Sequence, residues 1–252
     1  MIVRDRILDA RVDRTLHQEA LERILELSRS ERTTRVLFAN VHMLVESRRD
    51  VRLREAMERA DLVCPDGMPV VRLLALGRGG VQRTEGMSVF PELLALAETE
   101  GVAVALYGSA QGILDAISDK IRHDHPRLSL VLALEAPFGE PAGEVDPAHL
   151  ERLRRSGARL VFTALGCPRQ ELWMDRAQGL SACLLGVGNA FEVHLGRRRR
   201  APGWAQALCL EWLFRLVQEP RRLGPRYLRT NVPFLLALPG AILARFRPSR
   251  NF

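Results

Sequence analysis

The stretch VAVALYGSAQGILDAISDKIRHDH, residues 102–125, is two elements joined without a spacer. VAVALYG is a continuous apolar run of strand length, the pattern of a strand buried on both faces. SAQGILDAISDKIRHDH reads as a helix. The same alternation runs outward in both directions. Buried strands are expected at RVLFAN (35–40), DLVCPD (61–66), LSLVLALE (128–135), ARLVFTALG (158–166) and ACLLGVG (182–188). Helical patterns cover 15–30, 41–60 and 147–157, another is opened by Pro91 and ended by Gly101, and CPRQELWMDRAQG (167–179) is a short one. Residues 136–146, rich in Pro and Gly, read as a loop. This order predicts an α/β fold: a largely parallel, Rossmann-like sheet with helices on both faces. The strand signal ends near residue 196, so a helical, basic appendage over 196–252 is expected after a core of 1–195.

Of the 252 residues, 47% are hydrophobic, enough for a sizeable core. The opening residues alternate charge with apolar side chains and lack the apolar stretch of a signal peptide. No window reaches the roughly 18 uninterrupted apolar residues of a membrane span, and a cytoplasmic protein is expected. Cys64, Cys167, Cys183 and Cys209 show neither zinc nor disulfide spacing and read as reduced thiols.

Charge is placed unevenly. Residues 196–252 hold twelve arginines and two acids, whereas 1–195 hold 25 basic and 28 acidic side chains. Codon usage explains a taste for arginine but not the loss of acids from the last quarter. Such a segment seeks a polyanion or an anionic membrane. Trp204, Trp212, Phe214, Leu216, Tyr227 and Phe234, mixed with those arginines, favour a membrane interface over a hairpin packed on the core. Nucleic acid is not expected, because the chain has no nucleic-acid-binding module and no basic stripe on its body.

Ligands of an open α/β sheet bind beyond the carboxyl ends of the strands. Chemistry is therefore expected in FANVH, CPDGMP, LYGSAQG, LGCPRQE and GVGNAFEVHLG. Asp66, between Pro65 and Gly67, is either an Asx-type turn that bonds its own backbone or a general base over the crevice. Gly108 and Ser109 mark a strand-to-helix junction whose amides suit an anion; a plain N-cap at Ser109 is the alternative. In LGCPRQE, Glu171 complements the helix dipole, whereas Gln170 has no such structural duty and points to a polar contact with substrate. His42 and His194 read as structural polar residues. The sequence has no HExxH, no GxSxG and no metal-carrying DxD, so no metal or cofactor is expected.

These segments, in this order, resemble the WecG/TagA/CpsF family of bacterial glycosyltransferases (glycosyltransferase family 26). The likeness covers about 38–234. It rests on the Asn40 segment, ADLVCPDGMPVV (60–71), RTEGMSVF (83–90), LYGSAQG, LGCPRQE, GVGNAFEVHLGRRRRAPGW (186–204) and LEWLFRLVQEPRRLGPRYL (210–228), the last two together being highly specific. The resemblance implies an inverting, metal-independent transfer from a UDP-sugar, of N-acetylmannosamine type or glucose, to a saccharide on undecaprenyl diphosphate. It implies a role in cell-surface polysaccharide or exopolysaccharide synthesis, peripheral on the inner face of the cell membrane, with the appendage docking there and helping to complete the active site. Carried onto this sequence, Asp66 is the candidate base, with Asn40 and with Gln170 holding the sugar or the acceptor. Gly108, Ser109, Gln111, Gly166 and Glu171 are donor-side candidates. With no metal motif, positive charge on the diphosphate is expected from Arg83, Arg215, Arg221 and Arg222.

Three positions depart from the family pattern: Phe38 where Thr is common, Val41 where Pro or Ala is common, and Ser88 where Asp is expected. They leave the donor sugar open. They also admit a rival, a catalytically lapsed protein that binds a nucleotide or lipid diphosphate. The expected partners are UDP-sugar, a polyprenyl-diphosphate-linked saccharide and the anionic inner-membrane surface. A homo-oligomer stays among them, since the appendage covers a surface that could otherwise self-associate.

Overall fold

The computed structural model describes residues 2–76, 80–137, 141–218 and 220–245. Its strands are β1 (Val3–Ile7), β2 (Ala10–Arg14), β3 (Thr34–Ala39), β4 (Leu62–Pro65), β5 (Val104–Gly108), β6 (Leu130–Leu134), β7 (Leu160–Ala164) and β8 (Cys183–Gly186). The helices of the body are α1 (His17–Ser28), α2 (Val41–Arg49), α3 (Val51–Arg59), α4 (Met68–Ala75), α5 (Gly86–Glu100), α6 (Gln111–Asp124), α7 (Pro147–Ser156), α8 (Arg169–Arg176) and α9 (Ala190–His194). The six expected strands form one sheet in the order β4-β3-β8-β7-β5-β6, and every pairing in it is parallel.

The apolar runs are continuous because both faces of the sheet are covered. On β3, Val36 and Phe38 enter a cluster with α1, α5, α6 and α9, while Leu37 and Ala39 enter a second with α2, α3, α4 and α8. Each such Leu, Val or Phe contributes about 1.5–3 kcal/mol by leaving water.

Three local features differ from the sequence reading. The N-terminal residues form an antiparallel hairpin, β1 with β2, and every residue of β2 is buried. Its charges are what concealed it. Arg11 donates through Nε and Nη2 to Asp13 (3.0 and 2.8 Å), and through Nη1 to the Ala60 carbonyl (2.5 Å). Asp13 in turn accepts the Val63 backbone N–H at 2.8 Å, tying the hairpin to the edge of β4. The single helix expected over 41–60 is split at Asp50, whose carboxylate accepts the Arg52 N–H and caps α3. Such side-chain bonds compete with helix continuation. Helix α5 begins at Gly86 and carries Pro91 inside it. Beyond α9 the chain forms α10 (Gly203–Ala207), α11 (Glu211–Gln218) and α12 (Pro220–Arg245), the last continuing through Pro225, Pro233 and Pro239.

The appendage is seated on the body. Phe234 is buried in the same cluster as Leu37 and Val63, with Leu238, Ala241 and Ile242 packed beside it. Arg72 donates to the Ala207 carbonyl at 2.5 Å. Away from Phe234, Leu228, Val232, Leu235 and Leu236 are exposed, and their i, i+4, i+7, i+8 spacing makes one apolar stripe, with Leu236 also bordering the space between α12 and the hairpin. Trp204, Leu208, Trp212, Leu213 and Val217 are also exposed. No helix among the described residues is long and apolar enough to cross a membrane.

Removing one partner of a buried, hydrogen-bonded ion pair strands the other. Asp13→Ala is expected to lower unfolding stability by about 3–5 kcal/mol, read from urea denaturation at constant slope. A loss below about 1 kcal/mol, the level of a surface ion pair, would show that the Arg11–Asp13 pair does not anchor the hairpin.

Candidate active site

The carboxyl ends of β3 and β4 put two side chains face to face. Asn40 follows β3 and caps α2, its Oδ1 accepting the Met43 N–H at 3.1 Å. Its Nδ2 reaches Asp66 Oδ2 at 3.4 Å. Asp66 follows β4, and its backbone N–H donates to the Ala39 carbonyl at 2.9 Å, prolonging the β3–β4 pairing by one residue. Among the described residues no backbone N–H bonds the Asp66 carboxylate. The Asx-turn reading therefore fails, and the carboxylate is held by its strand with its oxygens directed at other side chains.

Arg83 is brought alongside by the Thr84 N–H, which donates to the Pro65 carbonyl at 2.9 Å. Its Nε lies 3.9 Å from Asp66 Oδ1. The two terminal nitrogens are drawn elsewhere: Nη1 to Gln206 Oε1 (2.6 Å), Nη2 to Glu85 Oε2 (2.5 Å) and Glu211 Oε2 (2.7 Å). Glu85 also pairs with Arg200 and accepts from Ser88 Oγ at 3.0 Å. Arg215 donates to the other Glu211 oxygen at 2.8 Å. The result is a knot of three carboxylates and three guanidinium groups in which Gln206, Glu211 and Arg215 all come from the appendage.

These surroundings set the chemistry of Asp66. Burial pushes its carboxyl up to about 7; the negative charge of Glu85 adds to this and Arg83 opposes it, with Glu211 and Arg215 acting more weakly in the same two senses. A carboxylate with that affinity takes a proton from a hydroxyl far more readily than an ordinary one, and its titration falls near neutral pH.

The other candidates divide. Gln170 is buried, and its amide is fully used: Oε1 accepts the Gly166 N–H (3.2 Å), while Nε2 donates to Glu171 Oε1 (2.8 Å) and the Gly186 carbonyl (3.0 Å). It clamps the end of β7 to the end of β8, the structural duty the sequence did not reveal. A Cβ on Gly186 would meet Gln170 Nε2 and Met174 Cε, each at 2.9 Å, so a side chain there would have to displace this amide. Glu171 is buried beside it, away from solvent. Gly108 is held to glycine by its φ of 91°, and a Cβ there would also press on the Ala164 carbonyl at 3.0 Å. Ser109 is not the N-cap of α6. Ala110 is, and no side chain caps that helix. Gln111 is exposed and bonds Asp115 at 2.7 Å. Arg221 is exposed at the start of α12, and the side chain of Arg222 lies outside the described residues.

Glu85, Ser88, Arg200, Gln206 and Glu211 join the site without having been singled out as binding or catalytic residues. One signal was present: Glu211 is one of two acids in an appendage of twelve arginines. Among the described residues no group of three or more His, Cys, Asp or Glu side chains is arranged to hold a metal ion. A cavity of about 1350 Å³ lies between the hairpin and α12, and none of its lining residues belongs to the Asp66 knot.

The family model Glycosyl transferase WecG/TagA/CpsF matches residues 6–250. The chain belongs to this family. Among its relatives is the N-acetylglucosaminyldiphosphoundecaprenol N-acetyl-beta-D-mannosaminyltransferase of Bacillus subtilis (strain 168), 31% identical over 173 residues. That match spans 67% of this chain and 65% of the relative's length. Two departures from the WecG/TagA/CpsF pattern acquire a place. Phe38 is buried in the cluster that the sheet shares with α1, α5, α6 and α9. Ser88 stands in the knot, donating to Glu85 and accepting from Arg200 at 2.9 Å.

A raised carboxyl in the folded state binds its proton more tightly than in the unfolded chain, so the stability it lends is present at low pH and lost as pH rises through about 7. Asp66→Asn removes that loss. The variant is expected to melt above the parent at pH 8, with the gap closing as pH falls below about 7. Equal melting temperatures at pH 8 would contradict the raised carboxyl.

Proposed function

We propose that the protein transfers a sugar from a UDP-sugar to a saccharide carried on a polyprenyl diphosphate, with inversion and without a metal ion. The observation that carries the reading is Asp66: a strand-held carboxylate at the crevice, with an affinity near neutral, beside Asn40 and closed over by the appendage. Membership of the WecG/TagA/CpsF family supports the same reaction class, and the name of the Bacillus subtilis relative supports a donor of N-acetylmannosamine type.

In the proposed step an acceptor hydroxyl oxygen attacks the anomeric carbon as the bond to UDP breaks on the opposite face. Asp66 takes the hydroxyl proton, and UDP leaves with the bonding pair. Asn40 orients the carboxylate. Negative charge growing on the diphosphate needs preorganised donors. Arg83 has both Nη2 hydrogens engaged by Glu85 and Glu211, and Arg215 Nη2 donates to Glu211 and Met87, so this duty falls chiefly to the exposed Arg221, with Arg215 beside the knot. The apolar stripe of α12, flanked by exposed Arg221 and Arg229, suits an anionic bilayer surface, which is where a polyprenyl-linked acceptor resides.

The test is UDP release from a panel of UDP-sugars with a short-chain polyprenyl-diphosphate saccharide as acceptor. One sugar is expected to give acceptor-dependent release that chelator leaves unchanged. Asp66→Asn should lower that rate about 100-fold or more, the scale of a lost general base, with UDP binding retained. Full activity in the variant would overturn the assignment, and UDP binding without turnover for any sugar would favour the lapsed reading. For the membrane side, the triple variant Leu228→Ser, Leu235→Ser, Leu236→Ser is expected to abolish flotation with anionic vesicles at unchanged melting temperature. Undiminished flotation would contradict docking through α12.

A further inference from the structure

The appendage does more to Asp66 than cover it. Arg83 is the cation nearest the base, yet it does not form a close pair with it. Its Nε is buried, makes no hydrogen bond among the described residues, and stops 3.9 Å short of Asp66 Oδ1. The guanidinium is held back by three pulls on its far side, and two of them, Gln206 at 2.6 Å and Glu211 at 2.7 Å, belong to the appendage. The third, Glu85, is shared with Arg200.

We propose that Glu211, assisted by Gln206, is a positioning residue that holds the Arg83 guanidinium off Asp66, so that the base is available only while α10 and α11 are seated on the body. Unseated, Arg83 keeps only Glu85 among its present anchors, and the nearest other anion is Asp66. Closing the remaining gap would turn a 3.9 Å contact into a direct, charge-assisted pair. A carboxylate so paired is a poor proton acceptor. The proposal rests on Asp66 being the base of the transfer reaction.

Every charged group facing Asp66 enters the expected outcome. Glu85, from the segment before α5, and Glu211, from α11, disfavour its charged form, whereas Arg83 and Arg215 favour it. Asn40, from the end of β3, is neutral, and the buried Cys64 thiol on β4 is kept protonated by burial and by neighbouring acids, Asp66 among them. Replacing Glu211 by Gln deletes one negative charge and frees Arg83 to approach. Both changes act in the same direction, downward.

The experiment is a carboxyl-carbon NMR titration of the full chain carrying labelled aspartate, with Asp66→Asn assigning the resonance. The parent midpoint is expected near 7. In Glu211→Gln it should fall by about one pH unit or more, the size of effect a close charge exerts; Gln206→Ala should shift it the same way, and Glu211→Asp should restore part of the parent value. Gln206→Ala also serves if Glu211→Gln does not fold. An unmoved midpoint in folded variants would overturn the proposal, whatever the turnover. Because the titration needs no substrate, the two readings separate. A midpoint that falls in a chain that turns over no sugar supports the coupling and refutes the transferase, while turnover with an unmoved midpoint does the reverse.

Discussion

Arg83 is the constraint on which the site depends. One guanidinium stands among Asp66, Glu85 and Glu211, which come from the end of a strand, the entry to α5 and the appendage. Three carboxylates so close together would repel one another and take up protons. Glu85 and Glu211 each have a second cation, Arg200 and Arg215, whereas the guanidinium nearest Asp66 is Arg83 at 3.9 Å. The observed arrangement gives Glu85 and Glu211 short bonds and leaves Asp66 at a distance, largely buried and only partly compensated. That asymmetry raises the proton affinity of one of three similar side chains, the base of the proposed reaction, while its neighbours are held in short ion pairs.

The sheet was legible because its strands are buried on both faces, and continuous runs such as VALYG and LVFTA carry no competing pattern. The hairpin was not, since Arg11 and Asp13 look like surface residues until the partner that neutralises each is known to lie two positions away on the same buried strand. Likewise Asp50 broke a helix that apolar spacing alone would continue. At the site, the local residues put Asp66 and Asn40 at strand ends and admitted both a turn and a base, and only the family resemblance made Asp66 the candidate base. The turn reading falls because no backbone N–H among the described residues bonds the carboxylate, and the charges around it, Glu85, Arg83, Glu211 and Arg215, come from segments that its own sequence neighbourhood does not reveal. Gln170 was misjudged for a related reason: its amide bridges β7 and β8, and no local pattern reveals that those strands are neighbours.

The appendage joins the two halves of the proposed function. One side of α12 is buried on the body through Phe234 while the other presents leucines to solvent. Next to it in sequence, α11 presents Trp212 and Leu213 outward and sends Glu211 and Arg215 into the knot. A surface that suits a bilayer and a set of charges that tunes the base are therefore carried on one short segment.

The most direct measurement is the pH dependence of kcat/KM for acceptor-dependent UDP release. A general base acts in its ionised form, so the rate should climb with pH and level off above an apparent value near 7. A rate already level from about pH 5 upward, as an ordinary carboxylate would give, would contradict the claim that this knot of charges holds Asp66 as a base tuned to neutral pH.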